Sequence, residues 1–149
     1  ACPMLRAAFV AASLLALPAA ALAQNAGVIK ERKANFKAMA DAAKPTGAML
    51  KGEADFDLAA IKNAIKVFQE KAALQGKLFP DDSKEGEKTE ALPAIWENKA
   101  DFEDRFVKLA EAAKAADTSI IVADTFEAEW PKVMGNCGGC HKKYRKPKD

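Results

Sequence analysis

Histidine and tyrosine each occur once in these 149 residues, and cysteine only three times. A zinc site built from four Cys or His ligands in two pairs would need all three cysteines and the histidine, and Cys2 lies in a segment expected to be removed. Charge of one sign is not in excess either. With 23 basic and 21 acidic side chains, no general affinity for nucleic acid or a membrane surface follows. Segments with strand-like alternation, internal repeats and low-complexity tracts are missing, which points away from β and repeat architectures. No acid–base pair or nucleophile stands out, so no enzyme is expected.

The longest apolar stretch, Ala7 to Leu17, is too short to span a bilayer comfortably. It follows Met4-Leu5-Arg6 and leads through Pro18 to Ala21-Leu22-Ala23. A basic start, an apolar middle and an Ala-x-Ala end form a secretory signal, with cleavage expected before Gln24. Residues 1–3 precede the plausible start methionine and have no account here. Cys2 is not placed like a lipoprotein cysteine, which would follow the apolar run. Removal of 23 residues from 149 leaves 126, enough for one domain with its own core. Loss of Arg6 leaves 22 basic against 21 acidic groups.

The two remaining cysteines stand in Cys137-Gly138-Gly139-Cys140-His141. Two thiols three positions apart with an imidazole next is the pattern that attaches a c-type haem. Each thiol adds across one vinyl group, and the histidine then lies under the iron. A redox dithiol would need a strand feeding the motif, whereas the flanking sequence reads as helix. With both thiols so used, the mature chain has none left for a structural disulfide. Haem attached after export fits a bacterial periplasm.

Apolar spacing predicts four helices. The first covers about 27–50, with Ile29, Arg32, Phe36, Met39, Ala40 and Ala43 along one face, and a kink is expected at Pro45. The second opens at Asp57, a good N-cap, repeats Leu58, Ile61, Ile65, Phe68 and Ala72, and ends near Gly76. A long polar connection follows to Pro93. The third runs about 93–116 with Phe102, Phe106, Leu109 and Ala113. The fourth covers about 118–145 with Phe126, Trp130, Val133 and Tyr144, and a bend or restart is expected at Pro131. Short links make neighbours antiparallel, and an all-α four-helix bundle follows.

His141 is the only histidine, so any sixth protein ligand to the iron would be methionine. Met4 leaves with the leader, and Met134 lies about two turns back on the helix that carries His141. Met39 and Met49 remain, both on the first helix.

The C-terminal Cys-x-x-Cys-His-x-x-Tyr-Arg on the last helix, behind an exported leader, resembles the cytochrome c prime family (class II c-type cytochromes). Arg32-Lys33-Ala34-Asn35-Phe36, Leu78-Phe79-Pro80 and Leu92-Pro93-Ala94-Ile95-Trp96 carry the likeness across residues 24–149. The resemblance implies a homodimer of antiparallel four-helix bundles, one covalently bound haem c per chain within the bundle, and usually five-coordinate iron. It implies that Cys137 and Cys140 tether the haem and His141 binds the iron. It further implies that Phe36 stands over the open face, that Arg32 reaches a propionate, and that Arg145 lies near the proximal side. The plain alternatives are core packing for Phe36, a solvated helix face for Arg32 and a basic tail for Arg145. Some relatives carry methionine at the distal position and are six-coordinate electron carriers; Phe36 departs from that variant.

A phenyl ring at the distal face offers iron no lone pair and a bound ligand no donor. Such a site should reject water, bind oxygen poorly, and still admit nitric oxide or carbon monoxide once the ring moves. Binding of these gases, chiefly nitric oxide, is therefore the expected function, with protection from nitrosative damage as its role. Electron transfer is the rival, alone or as a subunit of a larger complex. Lys142, Lys143, Arg145, Lys146 and Lys148 beside the motif would draw an acidic redox partner, or simply complement the helix dipole.

Overall fold

The computed structural model describes residues 18–148. The expected leader falls outside them except at its end, where helical backbone begins at Pro18. Four long helices, α1 (Pro18–Leu50), α2 (Leu58–Gln75), α4 (Lys99–Ser119) and α5 (Ala123–Tyr144), form the bundle. A one-turn helix, α3 (Ala94–Glu97), precedes α4. No strand occurs among the described residues, only an isolated antiparallel bridge between Ala91 and Arg145.

Local chemistry sets most of the boundaries. The Asp57 carboxylate accepts from the Ala60 amide at 3.0 Å, capping α2 as its sequence position predicts. Along α2, Ile61, Ala64, Ile65, Phe68 and Ala72 are buried at helical spacing. Gly52, at φ 71°, takes the left-handed conformation just past the end of α1. The helices stay continuous through Pro45 and Pro131; α5 does not start afresh at its proline.

Two boundaries differ from expectation. The third predicted helix is broken at Asn98 (φ −128°, ψ 46°), whose side-chain amide donates back to the Ala94 carbonyl at 3.1 Å. That local bond closes α3 and lets α4 begin anew, in the way asparagine competes with helix continuation. The α4–α5 junction is Ile120–Val122 rather than 116–118. There the Thr125 hydroxyl accepts from the Ile121 and Val122 amides at 3.0 and 3.1 Å, and so marks where α5 starts.

The bundle is closed on three sides and open on the fourth. α2 packs on both α1 and α4, and α4 packs on α5. Between α1 and α5 the closest tie lies at one end, where buried Trp130 donates Nε1–H to buried Thr46 Oγ1 at 2.9 Å. Phe68 stacks on the same indole with ring centroids 5.7 Å apart. Toward the other end the two helices are held apart, and the gap is a cavity.

The connection 76–93 is ordered rather than loose. It contains short 3-10 turns at Gly76–Leu78 and Asp81–Ser83. Gly86, Glu87 and Lys88 all have positive φ (102°, 47° and 52°), an uncommon conformation for the two non-glycine residues. This turn delivers residues 89–92 alongside the chain's end. Leu92 N–H donates to Tyr144 O at 3.0 Å, and Lys146 N–H to Glu90 O at 2.8 Å.

Candidate haem site

The cavity between α1, α4, α5 and the end of the connection has a volume of about 620 Å³, within the range of cofactor sites. Its walls are largely apolar, built from Phe36, Met39, Phe79, Phe102, Phe106 and Leu109. Cys137, Cys140 and His141 enter from α5. Positions i, i+3 and i+4 share one helical face, so one helix presents all three to the same space.

Their electrostatics suit metal binding by imidazole. Both thiols are half-buried, and burial pushes their pKa values up, so they stay protonated near neutrality. His141 is pushed the other way, first by burial and then by the positive charges of Arg145 and Lys148. It is therefore held neutral with a lone pair available. Among the described residues no group of three or more His, Cys, Asp or Glu side chains could hold a metal ion by itself.

The donor set fits haem on a further count. Arg145, half-buried beside the cavity, has an Nε–H that is buried with no acceptor among the described residues. An unpaired buried guanidinium donor is costly, and an anionic group in the cavity would satisfy it.

Arg32 is not a solvated surface residue. It is 2% exposed, and four of its five N–H donors are committed to the 76–93 connection. Nη1 reaches Leu78 O at 3.1 Å and Ser83 Oγ at 2.7 Å; Nη2 reaches Ser83 O at 2.9 Å and Thr89 Oγ1 at 3.0 Å. Its guanidinium lies 4.3 Å from the Phe79 ring centroid, and burial lowers its pKa to about 10. It remains charged at neutral pH and pins the connection to α1. Only Nε is left for a group in the cavity.

Phe36 lies one turn beyond Arg32 and lines the cavity. Its ring is 6.4 Å from that of Phe79 and 6.2 Å from that of Phe106, centroid to centroid. It is partly buried, so it combines wall packing with exposure to the cavity. Met39 is a core residue whose side chain also touches the cavity, while Met49 does not line it. Met134 lines the cavity from α5, on the same helix as His141.

Some of the site is not evident in sequence. Asp101 of α4 accepts from the Tyr144 hydroxyl, from Arg105 Nε at 3.0 Å and from Lys143 Nζ at 3.1 Å. These bonds hold its carboxyl well below the usual range. They also tie the end of α5 to α4 directly after the haem motif. The Asp101–Arg105 spacing of four was the available signal. Ser83 and Thr89, the anchors of Arg32, carried none.

The family model for cytochrome c prime ("Cytochrome C'") matches residues 27–145. The chain belongs to the cytochrome c prime family. Cytochrome c' of Rhodopseudomonas palustris is 44% identical over 137 residues, covering 92% of this chain and 94% of the relative. Cytochrome c-556 of the same species is 34% identical over 146 residues, covering 95% and 97%. The solved structure of cytochrome c' from Rhodopseudomonas palustris superposes with a TM-score of 0.80 at 46% identity, covering 82% of this chain and 98% of that one. A nitric oxide complex of a mutant of cytochrome c prime from Alcaligenes xylosoxidans gives 0.61 at 30% identity, covering 83% and 97%. The cytochrome c prime family carries covalently bound c-type haem, and this chain has two cysteines, Cys137 and Cys140, near its C-terminus. No helix among the described residues is long and apolar enough to cross a membrane.

Proposed function

We propose that this cytochrome c prime is an exported haem protein that binds small gases, chiefly nitric oxide, at five-coordinate iron. When bound, haem supplies a redox-active iron with one open coordination position. Cys137 and Cys140 hold it covalently and His141 ligates it from α5. Phe36 is the observation that carries the reading. It occupies the α1 wall of the cavity and brings no atom able to bind iron. With Phe79 and Phe106 packed around it, the ring excludes water and leaves an incoming diatomic without a hydrogen-bond donor. That favours a ligand that bonds strongly to ferrous iron unaided, as nitric oxide does, over oxygen. The nitric oxide complex of the Alcaligenes relative supports this choice.

Export to a periplasm, with cleavage before Gln24, and a homodimer complete the proposal, as does a protective rather than catalytic role. Anaerobic titration of the reduced protein with nitric oxide tests it. Uptake should saturate at one equivalent per haem, and absence of uptake would overturn it.

Electron transfer is the second reading, favoured by the likeness to cytochrome c-556. Exposed Lys142, Lys143, Lys146 and Lys148 lie beside the motif, where they would steer an acidic redox partner. In that reading Met39 would be the sixth ligand, against its place in the packed core.

A further inference from the structure

Among the described residues six large hydrophobic side chains are exposed, and four of them, Leu50, Phe56, Ile121 and Val122, lie around the two turns at one end of the bundle. The function proposed above uses none of them. The α4–α5 turn carries Ile120, Ile121 and Val122 in a row. Ile120 alone fills the core, while Ile121 and Val122 are 62% and 51% exposed. The two turns form one surface. The Phe56 ring packs on buried Phe126, one turn after Val122, with centroids 6.1 Å apart. Phe126 is backed in turn by Trp130 at 6.0 Å, so Phe56 stands on packed rings and is held in place. Lys62 of α2 bonds to Asp117 at 3.0 Å and ties the same two turns together. Single exposed hydrophobics are ordinary, whereas several gathered within a polar rim mark a docking surface.

Charge decides what can cover it. Glu53, Asp55, Asp57, Asp117 and Asp124 belong to these turns, with Lys51 as their one cation. Asp117 is taken by Lys62. Glu53, Asp55 and Asp124 are exposed and make no ion pair among the described residues. A second copy presenting the same face would bring like charges together, and an anionic membrane surface would be repelled. We propose that this end of the bundle docks a basic amphipathic helix of a partner protein. Its apolar side chains cover Leu50, Phe56, Ile121 and Val122, and its lysines or arginines meet the carboxylate rim. At about 1.5 Å per residue, Cys137 lies about 20 Å along α5 from this end. A partner seated here therefore leaves the haem end free, and the docking holds whichever gas or electron the haem takes.

Titration of the isotope-labelled holoprotein with a synthetic helix of leucine and lysine tests this, with a glutamate-for-lysine version as control. Backbone amide signals should move in residues 50–57 and 120–126 and stay in place in the basic tail. Only the lysine peptide should bind, and its affinity should fall as salt is raised. Ile121→Ser should weaken binding by about tenfold, and Glu53→Lys with Asp55→Lys by at least as much. These side chains are exposed, so the variants should keep the wild-type melting temperature. Should Ile121→Ser mature poorly, Val122→Ser carries the same expectation. Signals that move only on other faces, equal binding of the glutamate peptide, or unchanged affinity in the variants would overturn the proposal. Shifts of the same amides with protein concentration alone would also overturn it, making a second copy the occupant. Co-sedimentation with phosphatidylglycerol vesicles that is lost in Ile121→Ser would overturn it too, in favour of a membrane.

Discussion

Phe36→Ala tests the distal wall through rates. In the proposed site, a gas reaches the iron only when the ring leaves its contacts with Phe79 and Phe106, whose centroids lie 6.4 and 6.2 Å away. Each aromatic contact is worth about 0.5–1.5 kcal/mol beyond area burial. Swinging the side chain away from its preferred rotamer adds about 0.5–1.5 kcal/mol. The displacement barrier is then about 1.5–4.5 kcal/mol, and its midpoint of about 3 kcal/mol, at about 1.4 kcal/mol per factor of ten, slows capture by about 150-fold. Alanine removes that barrier. Carbon monoxide capture by the reduced protein, followed by flash photolysis, should therefore accelerate by about two orders of magnitude. The ring is only partly buried, so the stability loss should fall below the about 3–5 kcal/mol of a fully buried Phe→Ala change. Phe36→Leu, which keeps bulk but loses the ring contacts, should fall between the two. A capture rate within twofold of wild type in Phe36→Ala would refute the gating argument.

Three further outcomes follow from the packing. Trp130→Phe deletes the buried Nε1–H donor to Thr46 and part of the ring stacked on Phe68; urea unfolding should show a loss of about 2–4 kcal/mol. Arg32→Met leaves Ser83, Thr89 and the Leu78 carbonyl without their shared donor. Trypsin cleavage after Lys84 and Lys88 should then accelerate by about tenfold or more, as the connection opens locally. Asp101 has a folded-state pKa held down by Tyr144 first, then Arg105 and Lys143. Its stabilisation is complete above the unfolded pKa near 3.8 and is lost as pH falls through the lower folded value. Between pH 5 and 2 the melting temperature of wild type should therefore fall more steeply than that of Asp101→Asn; parallel curves would contradict the bond network.

The helices were legible because their buried faces repeat at helical spacing over many residues. Ile61, Ile65, Phe68 and Ala72 on α2, and Phe102, Phe106, Leu109 and Ala113 on α4, are all buried as their spacing predicts. Periodicity cannot see a break made by one side chain, and the Asn98 amide bonded to Ala94 split the third helix. The haem motif was legible because covalent chemistry fixes its spacing, whereas the place of Phe36 on the cavity wall was implied by the family resemblance and not by any local pattern. What escaped was long-range and polar. Arg32 meets Ser83 and Thr89 across 51 and 57 residues of sequence, and nothing local in a polar connection marks which hydroxyls will be buried. The same holds for Thr46 and Trp130, 84 residues apart. These bonds decide where the connection lies and so complete one wall of the cavity.

The central claim is that the position opposite His141 is open to a gas and closed to a protein ligand. Absorption spectra of the purified protein, oxidised, reduced, and reduced under carbon monoxide, test it most directly. A broad high-spin ferrous band that sharpens when carbon monoxide is added is the predicted result. A sharp low-spin ferrous spectrum indifferent to carbon monoxide would contradict it, showing a sixth protein ligand and an electron carrier.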